Sequence, residues 1–262
     1  MFDQDARCVS YAPRAFTSTI SDNWSINAIP NGGYLMALLA NAMMQCSQMT
    51  STPVITANFI NRCVPGEAQV LVDKMVTSKQ FDRMQARLIQ NQNETTRAFG
   101  TFASESNECV LESYETSSPE IAAREHCVPI PRMATYTLFD QLDIRLDPEC
   151  TGWVAGKLTP VSAMKGWVKF KSDRMFDIMA LLLVADAFPP AILISQGMVA
   201  WVPTIEFSVN VRRLPRTKWL KCLFRTRFIT CGLLEEDGEI WDQNGELAAI
   251  SRQIAQYRIP SK

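Results

Sequence analysis

Asp186 stands in the run Met179-Ala180-Leu181-Leu182-Leu183-Val184-Ala185-Asp186-Ala187-Phe188, one carboxylate in an otherwise apolar, helix-like segment. Its place is the last helical turn, where the helix dipole disfavours negative charge. Burial there costs more still unless donors surround the group. Either the helix end is exposed and Asp186 is merely solvated, as most carboxylates are, or the carboxylate is buried and has donors around it. Two further polar residues stand at strand positions. Thr204 follows Pro203 at the head of a strand-like segment. Gln253 shares strand parity with Ala249, Ser251, Ala255 and Tyr257, a face of small side chains on which something else can pack. Their ordinary readings are a β-branched strand starter and an exposed strand amide. Gly32 and Gly33 open an apolar helix. Backbone amides at such an end are unpaired and suit a polarised carbonyl, although a tight turn before a helix uses the same residues.

Other chemistries find less support. The chain has one histidine, His126, and no G-x-S-x-G, so a Ser/His/Asp hydrolase is not expected. The eight cysteines are scattered with no C-x-x-C, so they read as reduced thiols, and no metal site is expected. A net charge of −1 gives no basic field to hold nucleic acid. A local patch of Arg212, Arg213, Arg216 and Lys218 still suits an acidic small molecule. No apolar run reaches the ~18–20 residues of a membrane span. The longest, Phe176 to Ile194, is broken by Asp177, Asp186, Pro189 and Pro190. The start Met1-Phe2-Asp3-Gln4-Asp5 has acids where a signal peptide has cations, so a cytoplasmic protein is expected.

The elements that must position these residues come as a repeat. Met36-Ala37-Leu38-Leu39 returns as Met179-Ala180-Leu181-Leu182. Thr56-x-x-Phe59, Arg62 and Pro65 then match Thr204-x-x-Phe207, Arg212 and Pro215. One unit of roughly 110–130 residues is used twice, and the interface between two such copies is a favoured place for a ligand. In the first copy, Asn31 is a plausible cap for a buried helix over Tyr34 to Met49. Strands follow at 54–63, 67–77, 81–91 and 95–104. Residues 105–131 gather Ser, Glu and Pro, with a short helix expected near Glu120 to Arg124. The second copy opens with strand-like segments at Tyr136 to Arg145, Trp153 to Lys157 and Gly166 to Lys171. Its helix starts from Ser172-Asp173 and runs to Phe188, where Pro189-Pro190 stop it. Strands are expected at 204–213, 218–228, 232–242 and 246–258, with Asn244-Gly245 as a hairpin turn. The domain division is an N-terminal unit over 1–110, a linker over 111–131 and a C-terminal unit over 132–262 that carries the polar trio.

Asn31-Gly32-Gly33-Tyr34-Leu35-Met36-Ala37-Leu38-Leu39 in the first copy resembles the N-terminal half of the TesB-like acyl-CoA thioesterases. In the second copy the similar stretches are Leu183-Val184-Ala185-Asp186-Ala187-Phe188-Pro189-Pro190, Pro203-Thr204-Ile205-Glu206-Phe207, Arg213-Leu214-Pro215, Asn244-Gly245-Glu246-Leu247 and Ser251-Arg252-Gln253. The resemblance implies an α+β double hotdog, two tandem units that each wrap an antiparallel sheet around a long helix. It implies hydrolysis of acyl-CoA to free acid and CoA with no cofactor. It places the family's water-holding Asp, Thr and Gln on Asp186, Thr204 and Gln253, with Gly32 and Gly33 as candidate donors to the thioester carbonyl. Sheet edges left by two such units suit assembly into a homo-oligomer.

Two departures are visible. Strand parity groups Thr204 with Glu206, Ser208 and Asn210, away from apolar Ile205, Phe207, Val209 and Val211, unless the strand is bent at its start. The segment Ser78-Lys79-Gln80-Phe81-Asp82-Arg83 lacks the Gly-Arg turn expected there. The competing readings are a catalytically silent acyl-CoA-binding protein on the same scaffold and a hotdog dehydratase or hydratase. The latter relies on a histidine near the helices, and His126 lies in the linker.

Overall fold

The computed structural model describes residues 1–105 and 110–259. In the first half, α1 (Phe2–Asp5), β1 (Val9–Ala12), β2 (Ala15–Ile20) and the small hairpin of β3 (Ser25–Ile26) and β4 (Ile29–Pro30) precede the helix α2 (Gly32–Cys46). Four strands follow it: β5 (Ser51–Phe59), β6 (Gly66–Thr77), β7 (Phe81–Gln90) and β8 (Asn93–Ala103). The connecting segment contributes β9 (Val128–Pro129). The second half then contains α3 (Leu138–Gln141), β10 (Leu142–Leu146), β11 (Ser162–Phe170), α4 (Ile178–Val184), α5 (Leu193–Gln196), β12 (Thr204–Val211), β13 (Leu220–Thr226), β14 (Ile229–Thr230), β15 (Leu233–Asp242) and β16 (Leu247–Gln256).

Among the described residues one sheet runs β1-β2-β6-β7-β8-β5-β12-β16-β15-β13-β11-β10-β9, with β14 paired to β15. The order is palindromic about its centre: β2-β6-β7-β8-β5 on one side mirrors β11-β13-β15-β16-β12 on the other. The halves therefore join as a single antiparallel sheet through β5 and β12, with Phe207 opposite Ala57 and Val209 opposite Ile55. The architecture is α+β, a double hotdog.

The inner face of this sheet closes on α2 and α4. Helix α2 is buried from Gly33 to Ala40 without a break, which its uniformly apolar sequence requires. Leu181, Leu182 and Leu183 of α4 are fully buried in the same core as Met36, Leu38 and Leu39. The two copies of Met-Ala-Leu-Leu are thus the two central helices. They meet where the C-terminal end of α4 reaches the N-terminal end of α2. A Cβ on Gly33 would lie 2.3 Å from the Leu182 carbonyl oxygen and 3.0 Å from Leu183 Cα, so only glycine permits this backbone-to-backbone approach.

Several sequence expectations need correction. Helix α4 is shorter than the periodicity suggests. Asp177, not Ser172 or Asp173, caps it, accepting from the Ala180 N–H at 2.9 Å. The helix ends at Val184, so Asp186 lies in the turn beyond it. Arg174 pairs with Asp3 and Asp177 in the preceding segment, which closes that end of α4 against α1. The strand expected over Tyr136 to Arg145 begins as α3, and Trp153 lies in a 3-10 turn, Gly152–Ala155. The segment around Glu120 to Arg124 forms no helix. Pro53 sits inside β5 where the pairing with β8 slips between Ser51 and Val54, so its missing N–H costs no ladder bond.

Candidate active site

Asp186 occupies the point where the two halves face each other. Its own helix has ended, and its carboxylate points at the N-terminus of α2. Oδ2 accepts from the Gly33 N–H at 3.1 Å and from Asn31 Nδ2 at 2.9 Å. The same Asn31 Nδ2 donates to the Asp186 carbonyl oxygen at 2.7 Å. Asn31 works at both ends, because its Oδ1 accepts from the Tyr34 N–H at 3.0 Å and so caps α2. The unfavourable end of one helix is offset by the favourable end of another. Burial pushes the Asp186 carboxyl up from 3.8, the amides of Gly33 and Gly32 and the side chain of Asn31 pull it back, and the outcome is about 6. Phe59, at the end of β5, walls the group: its Cζ and Asp186 Oδ2 both lie within 3.0 Å of where a Cβ on Gly32 would be.

The second cluster comes from the C-terminal sheet. Thr204 Oγ1 donates to Gln253 Oε1 at 2.6 Å. The parity conflict at Thr204 is resolved by a bulge. Thr204 pairs with Ala255 while Glu206 pairs with Ile254, so two residues of β12 oppose one of β16. The extra residue turns Thr204 to the inner side, and normal alternation resumes from buried Phe207. Gln253 is buried, 8% exposed, on the same inner face as Ala249 and Ala255.

Sequence reasoning missed one member of this cluster. Glu236 sits directly across from Gln253 in the β15–β16 pairing and is 5% exposed. Its Oε1 accepts from Gln253 Nε2 at 2.9 Å, and its Oε2 accepts from the Ala191 N–H at 2.6 Å. Burial pushes its carboxyl up to about 7, against the pull of Ala191 and Gln253, and the charge of Asp186 adds to the rise. The residue hides in the acidic run Glu235-Glu236-Asp237, which reads as a solvated face. Parity with Leu234 and Ile240 is the signal that could have exposed it.

The structure brings Gly33 and Asp186 into contact, and it joins Thr204 to Gln253. Gly32 lies against the same carboxylate. The single histidine, His126, is exposed in the connecting segment. Among the described residues no group of three His, Cys, Asp or Glu could hold a metal ion, and no helix is long and apolar enough to cross a membrane. Among the described residues no hydrogen bond joins Asp186 to the Thr204–Gln253 pair; a hydroxyl, an amide and a carboxylate are groups of the kind that can hold and polarise a water.

Two family models match the chain. An acyl-CoA thioesterase N-terminal domain covers residues 20–103, and an acyl-CoA thioesterase C-terminal domain covers residues 123–257. Among solved structures, a putative thioesterase II from Thermobifida fusca YX superposes with a TM-score of 0.89 at 21% identity, over 98% of this chain and 97% of that one. A hot dog fold protein of unknown function from Alicyclobacillus acidocaldarius gives 0.87 at 18% identity, over 99% and 98%. The acyl-CoA thioesterase II TesB2 from Mycobacterium marinum gives 0.78 at 15% identity, over 100% and 99%. At these identities the superpositions speak for the fold alone. No curated protein gives a significant match.

Proposed function

The chain belongs to the acyl-CoA thioesterase family, and from that premise we propose that it hydrolyses an acyl-CoA thioester to the free acid and CoA with a water activated by Asp186. The observation that carries this reading is the division of labour on the carboxylate. Oδ2 is clamped by Asn31 and Gly33. That fixes the plane of the group and leaves Oδ1 to take a proton. The Thr204–Gln253 pair supplies the remaining positions for the water. Holding the nucleophile in place converts much of the entropic barrier into structure.

Asp186 Oδ1 accepts a water proton as the water oxygen adds to the thioester carbonyl carbon. The tetrahedral intermediate collapses, the C–S bond breaks, and the sulfur leaves as the CoA thiolate, which the proton held on Asp186 neutralises. A carboxylate with a pKa of about 6 is a stronger base than an ordinary aspartate and is still ionised at neutral pH. The N-terminal pole of α2 offers a preorganised dipole for the developing oxyanion, and Gly32 and Gly33 carry no Cβ to obstruct it. Proton transfer to Oδ1 removes the carboxylate's charge while Oδ2 keeps its donors, so the positive pole of α2 is less offset at the moment charge appears on the substrate.

Free-thiol release from a panel of acyl-CoA esters tests the proposal. Turnover by the native chain that falls in Asp186→Asn supports it. Tight acyl-CoA binding without turnover points to the silent binding protein instead. The dehydratase reading has no histidine at this site to serve it.

A further inference from the structure

The hydrogen-bond polarity of the Thr204–Gln253 pair has a cause, and it lies outside the residues that would touch the water. A primary amide can present either its oxygen or its NH2 to a neighbour, and a hydroxyl can donate or accept. Neither residue has an intrinsic direction. Glu236 supplies one. Its Oε2 is occupied by a backbone donor, the Ala191 N–H. Its Oε1, as a carboxylate oxygen, can only accept, so Gln253 must turn Nε2 toward it. Gln253 Oε1 then faces Thr204 and takes the hydroxyl proton. With that proton committed, Thr204 Oγ1 meets the water as an acceptor. Asp186 Oδ1 is an acceptor too. A water held by both would give up both its hydrogens and keep its lone pairs for the carbonyl carbon.

We infer that Glu236 is a positioning residue for the hydrolytic step: it fixes the Gln253 amide so that every group around the water accepts a hydrogen bond. The inference rests on the reading of Asp186 as base. It assigns a task to a buried carboxylate that otherwise has only a cost. Packing alone does not ask for an acid here. The neighbouring Leu234 and Ala255 on the inner face and Ile192 just before α5 form a small apolar cluster.

The charged groups acting on Glu236 are Asp186 and Glu235, and both oppose its ionisation. Glu235 accepts from the Arg227 and Phe228 amides on the outer side of β15. The carboxylate is therefore sustained by its two local donors, Ala191 and Gln253.

The test is a pair of isosteric variants in the full chain, assayed by acyl-CoA hydrolysis alongside Asp186→Asn. In Glu236→Gln the Ala191 N–H claims the new carbonyl oxygen, and the new NH2 faces Gln253. Gln253 turns over, and Thr204 is forced to donate toward the water. The expected result is a kcat lower by about 10²-fold, the scale of a misplaced reacting group, with KM within about twofold. Adding Gln253→Glu to that variant reverses the pair. The carboxylate at 253 accepts from both the amide at 236 and Thr204, so the original polarity returns. This double variant is expected to regain about tenfold or more in kcat over Glu236→Gln, a coupling that a purely structural role does not produce. A Glu236→Gln enzyme with native kcat, or a double variant no faster than Glu236→Gln, overturns the inference. If Asp186→Asn is inactive while Glu236→Gln is fully active, only this inference falls. If Asp186→Asn is fully active, the reading beneath it falls as well.

Discussion

Asp186→Asn should make the protein slower and, above pH 6, more stable. The amide is accommodated without loss of the clamp. Its oxygen can take the place of Oδ2 and accept from Gly33 and Asn31, which in the native chain both bond that one oxygen. Its NH2 then occupies the Oδ1 position and cannot accept a proton, so kcat falls by 10²–10⁴-fold, the usual scale for a general base. The stability term follows from the raised pKa. In the unfolded chain the carboxyl titrates near 3.8, and in the folded chain near 6. Between those values the folded state binds more protons than the unfolded one, so native stability declines as pH rises through the window. A rise of about 2 in pKa is worth about 3 kcal/mol. Asp186 keeps some contact with solvent, so that figure is an upper bound. The variant lacks this term. Urea unfolding of both proteins at about pH 5 and pH 8 should show the variant gaining on the native chain as pH rises, then a constant difference. A variant less stable than native at pH 8, or a difference independent of pH, would refute the account of how α2 holds this carboxylate.

Thr204→Val removes the hydroxyl at nearly constant volume and leaves Gln253 Oε1 without its donor. It should cost about 1–3 kcal/mol in unfolding measurements and about 10²-fold in kcat, whereas Thr204→Ser should stay within a few-fold of native. Gly33→Ala places a methyl 2.3 Å from the Leu182 carbonyl oxygen, so α2 and α4 must separate. About 3 kcal/mol of destabilisation is expected, read from the urea midpoint, together with loss of activity. The pH–rate profile should have an acid limb set by Asp186 and Glu236, near 6 and 7. Both must be ionised, so activity falls as pH drops through that range. The apparent values belong to the pair, and an acid limb near pH 4 would contradict the burial of both groups.

The sequence carried the fold well because its signals are local. Alternation placed β6, β7, β15 and β16 within a residue or two, and the uniformly apolar α2 could only be a buried helix. The limits of α4 were misjudged because Pro189-Pro190 is a strong stop signal, while the true end, at Val184, is set by tertiary packing against α2. Asp186 was conspicuous as a charge among leucines. Its partners were not, since Asn31 lies 155 residues away and looks like any N-cap. Strict parity turns Thr204 outward unless the strand is bent at its start, and the bend is a bulge that adds one residue and leaves no compositional trace. Glu236 was easily overlooked because it shares a run with Glu235 and Asp237, and only its parity with Leu234 and Ile240 sets the buried acid apart from its neighbours.

The clamp between Asn31 and Asp186 also constrains how this chain can change over generations. The proposed base, Asp186, is encoded in one copy of the duplicated unit, and the dipole and amide that hold it are encoded in the other. Neither copy can drift, be exchanged by recombination or be trimmed away without regard to its twin. Asn31→Asp, a single-nucleotide change that keeps a good helix cap, would set two carboxylates against each other across the seam. Duplication usually frees one copy to diverge. Here the seam ties the two together, and selection on hydrolysis would act on the pair as a single locus.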